Sequence, residues 1–184
     1  QISDFLKSNQ LKPIAILATH AHYDHISAVS ELKLKFDVPF YMHHADAKLV
    51  SQVNMYRHFI ANEPLVKIPI VDNFYKNNET LNFGNIKVKI IHTGIHTARH
   101  CCLLINNALF TGDILYKGRI DNTINQNLVM DQYVDLLNRI CKLPVMTQIY
   151  PGHGQPGNIP EVLKLNIELK ELIRDECEHK TSCI

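Results

Sequence analysis

The most restrictive feature of the sequence is a short segment dense in histidine, Thr19–His25 (THAHYDH). It directly follows Ile14–Ala18, a wholly apolar run of the kind that forms a buried strand. Because alternate residues of an extended segment point the same way, His20 and His22 can converge on one ion. Imidazole at this density predicts a metal site at the end of that strand.

The same segment offers two more donors, Asp24 and His25. Beyond a turn, these side chains can face a second ion close to the first. The alternative is that Asp24 is only the N-cap of a helix that begins near Ile26.

Three later segments share one arrangement, in which an apolar strand is followed by a tight turn that carries a ligand-type residue. They are HTGIHTARH (92–100), FTGD (110–113) and YPGHG (150–154). Side chains at strand ends along one sheet edge can be gathered into a single site, and the glycines permit the close turns required. In the first segment, His92, His96 and His100 compete for the ligand role.

Apolar periodicity predicts a layered α/β domain. The predicted helices are Ile2–Asn9, Ile26–Phe36, Ala45–Val53, Leu128–Cys141 and Pro160 to about Cys177. The predicted strands are Ile14–Ala18, Val38–Met42, Thr80–Phe83, Ile86–Ile91, Cys101–Ile105, Ala108–Thr111 and Gln148–Tyr150. The stretch Met55–Lys76 has weak periodicity and is expected to be a long surface excursion.

The composition limits the classes of function that the chain is expected to have. The 184 residues, 46% of them hydrophobic, suit one domain over 1–184. Near-neutral charge, 19 basic against 18 acidic side chains, disfavours nucleic-acid and membrane-surface partners and favours a small-molecule substrate. Five cysteines without a CxxC pair are expected to be reduced thiols in a cytoplasmic protein. The start at Gln1 predicts that an N-terminal part, which could carry a targeting segment, is missing.

Taken together, THAHYDH, HTGIHT, FTGD and YPGHG resemble the metal motifs of the metallo-β-lactamase superfamily, and within it the compact hydroxyacylglutathione hydrolase (glyoxalase II) type. The resemblance extends from Leu11 to about Asn166. It implies the four-layer αβ/βα sandwich of that superfamily, here without its first N-terminal strands.

The resemblance also implies a ligand set for two divalent ions, zinc first, with iron or manganese as alternatives. The first ion would be held by His20, His22 and His96, and the second by Asp24, His25 and His153. Asp113 would bridge the two ions. This chain has Gly94-Ile95 where the family usually has Pro-Gly, so the local turn is expected to differ.

The implied activity is hydrolysis of a glutathione thioester such as S-lactoylglutathione by a metal-activated hydroxide, with Asp24 as ligand and orienting residue. Arg119, and Lys117 second, are candidate contacts for the anionic groups of the thiol; the alternative is a solvated charged loop. An iron-dependent persulfide dioxygenase and a non-catalytic, truncated family member stay open. The sequence carries no prediction of oligomeric state.

Overall fold

The computed structural model describes residues 1–120 and 127–165, and for residues 119, 120, 127–131 and 165 it describes the backbone. The chain divides into two compact units, Gln1–Lys76 and Asn77–Ile184. Each described unit has its own sheet and hydrophobic core. One domain over 1–184 stays a prediction.

The first unit contains a parallel three-stranded sheet in the order β1-β2-β3, formed by Ile16–Leu17, Phe40–His43 and Asn73–Tyr75. Its helices are α1 (Ile2–Ser8), α2 (Tyr23–Ile26), α3 (Val29–Phe36), a 3-10 turn (His44–Asp46), α4 (Ala47–Val50) and α5 (Val53–Phe59). Parallel strands place their carboxyl ends at one edge, and the chain leaves that edge after β1 at the histidine-rich segment.

The core of the first unit lies on one side of β2. Phe40 and Met42 alternate along that strand and are completely buried, as is Ile26 of α2. Val53 of α5 packs into the same cluster. This core anchors the segment that joins β1 to α2, because Ala21 within it is also buried.

Three predictions for the first unit are wrong in part. The helix expected over Ala45–Val53 is divided into the 3-10 turn, α4 and the start of α5. The single helix over Ile26–Phe36 is divided into α2 and α3. The stretch Met55–Lys76 is not all surface excursion, because α5 continues to Phe59 and the stretch ends in β3. Tyr75 of β3 is completely buried. Phe74 beside it is half exposed, so the three-residue strand shows little periodicity.

The second unit contains a six-stranded sheet in the order β11-β10-β7-β6-β5-β4. Its strands are β4 (Thr80–Phe83), β5 (Ile86–His92), β6 (Cys101–Ile105), β7 (Ala108–Gly112), β10 (Gln148–Pro151) and β11 (Gly157–Asn158). Neighbours pair antiparallel except β7 and β10, which are parallel. A separate hairpin pairs β8 (Leu115–Tyr116) with β9 (Arg119–Ile120). The helices are α6 (Asn127–Cys141) and α7 (Ile159–Leu165).

Most elements predicted for the second unit are confirmed within a residue or two at each end. The β6–β7 hairpin turns at Asn106, whose φ of 52° is the left-handed conformation that such a turn requires. Leu109 of β7, Ile149 of β10 and Leu136 of α6 meet in the core. The terminal helix is confirmed over Ile159–Leu165, and the remainder of its predicted range lies outside the described residues.

The cysteines follow the expectation of reduced thiols only in part. Cys101 and Cys102 are buried free thiols. Burial raises the pKa of the Cys102 thiol well above its ordinary value, and the neighbouring Cys101 adds to that rise. Cys141 is disulfide-bonded, so the expectation is wrong at this position. Cys177 and Cys183 lie outside the described residues.

Among the described residues, none of the helices combines the length and apolarity needed to cross a membrane.

Candidate metal centre

The first unit concentrates three imidazoles at the end of β1. The ring centroids of His20 and His22 lie 4.6 Å apart with an interplanar angle of 81°. The ring of His25 lies 4.2 Å from that of His20. Ligand atoms of His20 and His22 lie within 4.8 Å of each other, a separation that one ion can span. The structure therefore brings these predicted ligands together within their own unit.

Local contacts orient this segment. Thr19 Oγ1 lies 3.1 Å from Nδ1 of His20, so Nε2 is the ring nitrogen that we expect an ion to take. His22 is the N-cap residue of α2, and Asp24 lies inside the first turn. The alternative role of Asp24 as N-cap is therefore wrong. Asp24 Oδ2 lies 3.6 Å from His25 Nε2, so these two donors also face each other.

The second unit gathers its donors through the topology of its sheet. Strands β5, β7 and β10 run in the same direction, since β6 pairs antiparallel with both β5 and β7 and β10 pairs parallel with β7. Their carboxyl ends therefore lie along one edge. Gly152 N–H donates to the Gly112 carbonyl at 2.8 Å, which joins the ends of β10 and β7. Asp113 and His153 each follow directly after this joint.

Asp113 is the centre of the second unit's donor set. Its Oδ2 atom lies 3.7 Å from Nε2 of His96 and 3.6 Å from Nε2 of His153. The Asp113 side chain is 8% exposed, whereas that of His153 is 49% exposed. One buried carboxylate thus lies beside two imidazoles, which is the donor geometry expected of a bridging ligand.

Two hydrogen bonds hold the turn that carries Asp113. The buried Thr111 hydroxyl donates to the carbonyl of Leu115 at 3.0 Å and so closes the turn. From α6, the Tyr133 hydroxyl donates to the Ile114 carbonyl at 3.0 Å. The carboxylate is thereby held on a rigid frame, which is what a precise ligand position needs.

In the loop from β5 to β6, the predicted ligand His96 and the competing candidate His100 lie in different surroundings. His100 is completely buried, and its Nδ1 atom lies 3.1 Å from Thr93 Oγ1. Thr93 Oγ1 also donates to the His100 carbonyl at 2.9 Å, so these residues clasp the base of the loop. His96 lies at the tip with a φ of 70° and faces Asp113. Gly94, where the chain departs from the family pattern, has a φ of 66°.

The predicted anion contacts lie around the β8–β9 hairpin. Lys117 Nζ lies 3.3 Å from Oε2 of Glu161 in α7, so this cation already has an acidic neighbour in its own unit. Arg119 is the first residue of β9, and its side chain lies outside the described residues. The hairpin itself was not predicted, because two-residue strands show no periodicity.

Sequence reasoning also missed the polar residues that support the donors. They are Thr19, Thr93, Thr111 and Tyr133. Each acts through a contact with a backbone group or a neighbouring side chain, and for all but Thr19 the partner is identified only once the strands are paired.

The metallo-beta-lactamase superfamily model matches residues 3–153. The chain belongs to the metallo-beta-lactamase superfamily. This membership confirms the predicted family and fold, and places the chain among metallo-hydrolases.

Two curated relatives in the superfamily show its range. The chain is 27% identical to a probable metallo-hydrolase, YqgX, of Bacillus subtilis, over 86% of this chain and 77% of that protein. It is 30% identical to a hydroxyacylglutathione hydrolase of Nitrosomonas europaea, over 91% of this chain. The match spans 60% of the length of that hydrolase.

Two solved metallo-beta-lactamase superfamily structures agree with the fold. BLEG-1 B3 metallo-beta-lactamase matches 91% of this chain and 82% of its own, with a TM-score of 0.79 and 27% identity. TTHA1623, solved in a di-iron-bound form, matches 91% of this chain and 83% of its own, with a TM-score of 0.77 and 26% identity. With the imidazole and carboxylate donors described above, they support a pair of divalent metal ions.

Proposed function

We propose that the chain is a hydrolase with a dinuclear metal site that cleaves a thioester of the hydroxyacylglutathione type. The observation that carries this proposal is the position of Asp113, whose Oδ2 atom lies 3.6–3.7 Å from the Nε2 atoms of His96 and His153. A carboxylate that lies beside one imidazole of each proposed ligand set can serve both ions.

The proposed ligand set joins donors from both units. His20, His22 and His96 would hold the first ion, Asp24, His25 and His153 the second, and Asp113 both. The donor chemistry fits, since imidazole and carboxylate suit zinc, iron and manganese, with zinc the first expectation. Family membership supports this set, because the motifs that carry it lie within the matched residues 3–153.

The exposure of the side chains differs between the donors proposed for the two ions. His20 is buried and the His96 side chain is 11% exposed, whereas the side chains of Asp24 and His153 are 34% and 49% exposed. Two of the three donors proposed for the second ion alone are therefore more accessible to solvent than these two donors of the first ion.

When bound, a pair of divalent ions supplies a hydroxide nucleophile at neutral pH and stabilises the developing oxyanion. The chain's own contribution is positional. Asp24 would orient the nucleophile as well as ligate, and Asp113 would keep the two ions at a constant separation. Thr111 and Tyr133 hold the Asp113 turn, so that little reorganisation is needed as the reaction proceeds.

The substrate assignment depends on similarity to hydroxyacylglutathione hydrolases, supported by the basic hairpin. Lys117 and Arg119 are the proposed contacts for the carboxylates of glutathione. The Lys117 side chain is 32% exposed and lies beside the carboxylate of Glu161. It is therefore accessible to a substrate anion, which would compete with that carboxylate. We therefore expect moderate affinity for glutathione thioesters.

The test combines metal analysis with a substrate panel. Purified protein should contain close to two divalent ions, and it should release thiol from S-lactoylglutathione faster than it hydrolyses a lactone or a phosphodiester. His22→Ala should lose both metal and hydrolysis.

Two results would contradict the proposal. A folded, metal-free protein would remove the dinuclear site. Oxygen consumption with glutathione persulfide, without thiol release from the thioester, would assign the chain to the dioxygenases instead.

A further inference from the structure

The carboxylate of Asp46 contacts the metal-binding segment from a position 25 residues later in the chain. The backbone N–H of Ala21 donates to Asp46 Oδ2 at 3.3 Å. Ala21 is the residue between His20 and His22, and both Ala21 and Asp46 are 1% exposed. An acidic side chain is thus buried directly behind two proposed ligands of one ion.

Strand pairing explains how these residues meet. β1 and β2 are parallel neighbours, with Leu17 opposite Tyr41, and the Ala18 N–H extends the ladder by donating to the Tyr41 carbonyl at 3.1 Å. The histidine segment leaves the carboxyl end of β1. The 3-10 turn His44–Asp46 leaves the carboxyl end of β2 at the same edge. Asp46 therefore reaches the segment across adjacent strand ends.

A second contact from the same edge holds the start of the segment. Tyr75, at the carboxyl end of β3, is completely buried and its hydroxyl donates to the Ala18 carbonyl. The backbone around His20 is thus held at Ala18 by a tyrosine and at Ala21 by a carboxylate. The chain thus provides one support beyond the end of β2 and another at the end of β3.

Burial of a carboxylate is costly unless the charge is compensated. A pair of divalent ions held by the neighbouring histidines would favour a negative charge here. The charge would in turn raise the affinity of the site for cations, as carboxylates behind metal-binding histidines do.

We propose that Asp46 is a positioning residue of the metal site: its buried carboxylate holds the Ala21 backbone so that His20 and His22 are preorganised, and its charge increases metal affinity. This inference rests on the proposed function, because it assumes that the histidines bind an ion. It assigns Asp46 no contact with the substrate.

Asp72 provides a matched control in the same unit. Its Oδ2 atom also accepts a backbone N–H, that of Phe40, at 2.6 Å, and lies 2.5 Å from Lys33 Nζ. These bonds lower the pKa of the Asp72 carboxyl, chiefly through Lys33 and then through the Phe40 N–H. Phe40 is the first residue of β2, so Asp72 supports the opposite end of the strand from Asp46. Its loss should cost folding stability without changing metal affinity.

The experiment measures the affinity of the full chain for Co²⁺ and Zn²⁺ by competition with a chelator, together with the visible absorption of the Co²⁺ form. Asp46→Ala should weaken binding about 10- to 100-fold and alter the cobalt spectrum. Asp46→Asn keeps an oxygen acceptor but loses the charge, so its loss of affinity should be smaller but measurable. Asp72→Asn should bind both metals as the unchanged chain does.

Circular dichroism of each metal-free variant separates misfolding from loss of affinity, and the nearly isosteric Asp46→Asn decides the case if Asp46→Ala does not fold. Unchanged affinity in the folded Asp46 variants would overturn the inference while leaving the proposed function intact. An equal loss in Asp72→Asn would also overturn it, because the effect would then be one of general stability. If the unchanged chain binds neither metal, the proposed function fails and the inference fails with it.

Discussion

The two units of the chain provide proposed metal ligands in different ways. In the first unit, four donors lie within six consecutive residues, His20 to His25, directly after one strand. In the second unit, three donors are spread from His96 to His153 and follow three separate strands. The first set is a property of local sequence, and the second is a property of sheet topology.

This difference determines which side chains each set depends on. The first set is held by groups that contact its backbone, among them Tyr75 and Asp46. In the second set, His96 and His153 both face one carboxylate, that of Asp113. Support of the donors is therefore distributed over several groups in the first unit, whereas the second unit depends on a single critical residue.

The largest effect is expected from loss of that critical residue. Asp113→Ala should deplete both ions together, because each would lose a ligand and the shared charge would disappear. The fall in affinity should exceed the roughly 10- to 100-fold that loss of an outer partner causes. His153→Ala should instead remove mainly the second, more exposed ion. Elemental analysis after dialysis against a weak chelator measures both outcomes.

His92→Ala is the control for this comparison, since His92 belongs to the same unit and was a competing ligand candidate. It should retain both ions. If Asp113→Ala also retained two ions, the bridging role would be refuted and the contrast between the two units would disappear.

The same contrast explains what sequence could predict. Strand β5 was predicted because polar and apolar residues alternate along it, and β6 and β7 because two apolar runs flank the turn Asn106-Asn107. The candidate donors His20 to His25 could be identified because they lie close together in the sequence. Asp113 and His153 entered the ligand set through resemblance, since nothing in their spacing states that β7 and β10 are neighbours.

The supporting contacts were beyond sequence analysis for a physical reason. Thr93, Thr111 and Asp46 are ordinary polar residues until the fold buries them beside particular backbone groups. Short strands such as β3 and β8 were also missed, since two or three residues are too few to establish a period. Sequence analysis thus offered candidate donors but not the contacts that hold them.

An intermediate effect is expected from the clasp of the His96 loop. Thr93→Val removes the hydroxyl that contacts Nδ1 and the carbonyl of the buried His100. Leaving those buried groups without this partner should lower the free energy of unfolding by about 1–3 kcal/mol. Urea denaturation of the metal-free protein measures the loss. Thr93→Ser retains the hydroxyl and should recover most of the stability.

The Thr93→Val substitution tests whether the His96 loop of the second unit needs this hydrogen-bonded support. If Thr93→Val unfolds at the same urea concentration as the unchanged chain, the loop is held by packing alone. His96 would then be positioned as locally as the histidines of the first unit are.

The smallest effect is expected at the basic hairpin, which concerns substrate rather than metal. Glu161→Gln removes the carboxylate 3.3 Å from Lys117 Nζ and frees that cation for an anionic substrate. An exposed ion pair contributes only about 0.2–1 kcal/mol, so the KM for S-lactoylglutathione should fall by at most about fivefold, with kcat unchanged. The start of α7 should be unaffected, because Asn158 accepts the backbone N–H of residue 161. A neutral thioester should show no change in KM, and Lys117→Gln should raise the KM for the anionic substrate. Equal KM values for the anionic substrate in all three proteins would mean that Lys117 belongs to a solvated loop, and that the second unit provides metal ligands but no contact for glutathione at this position.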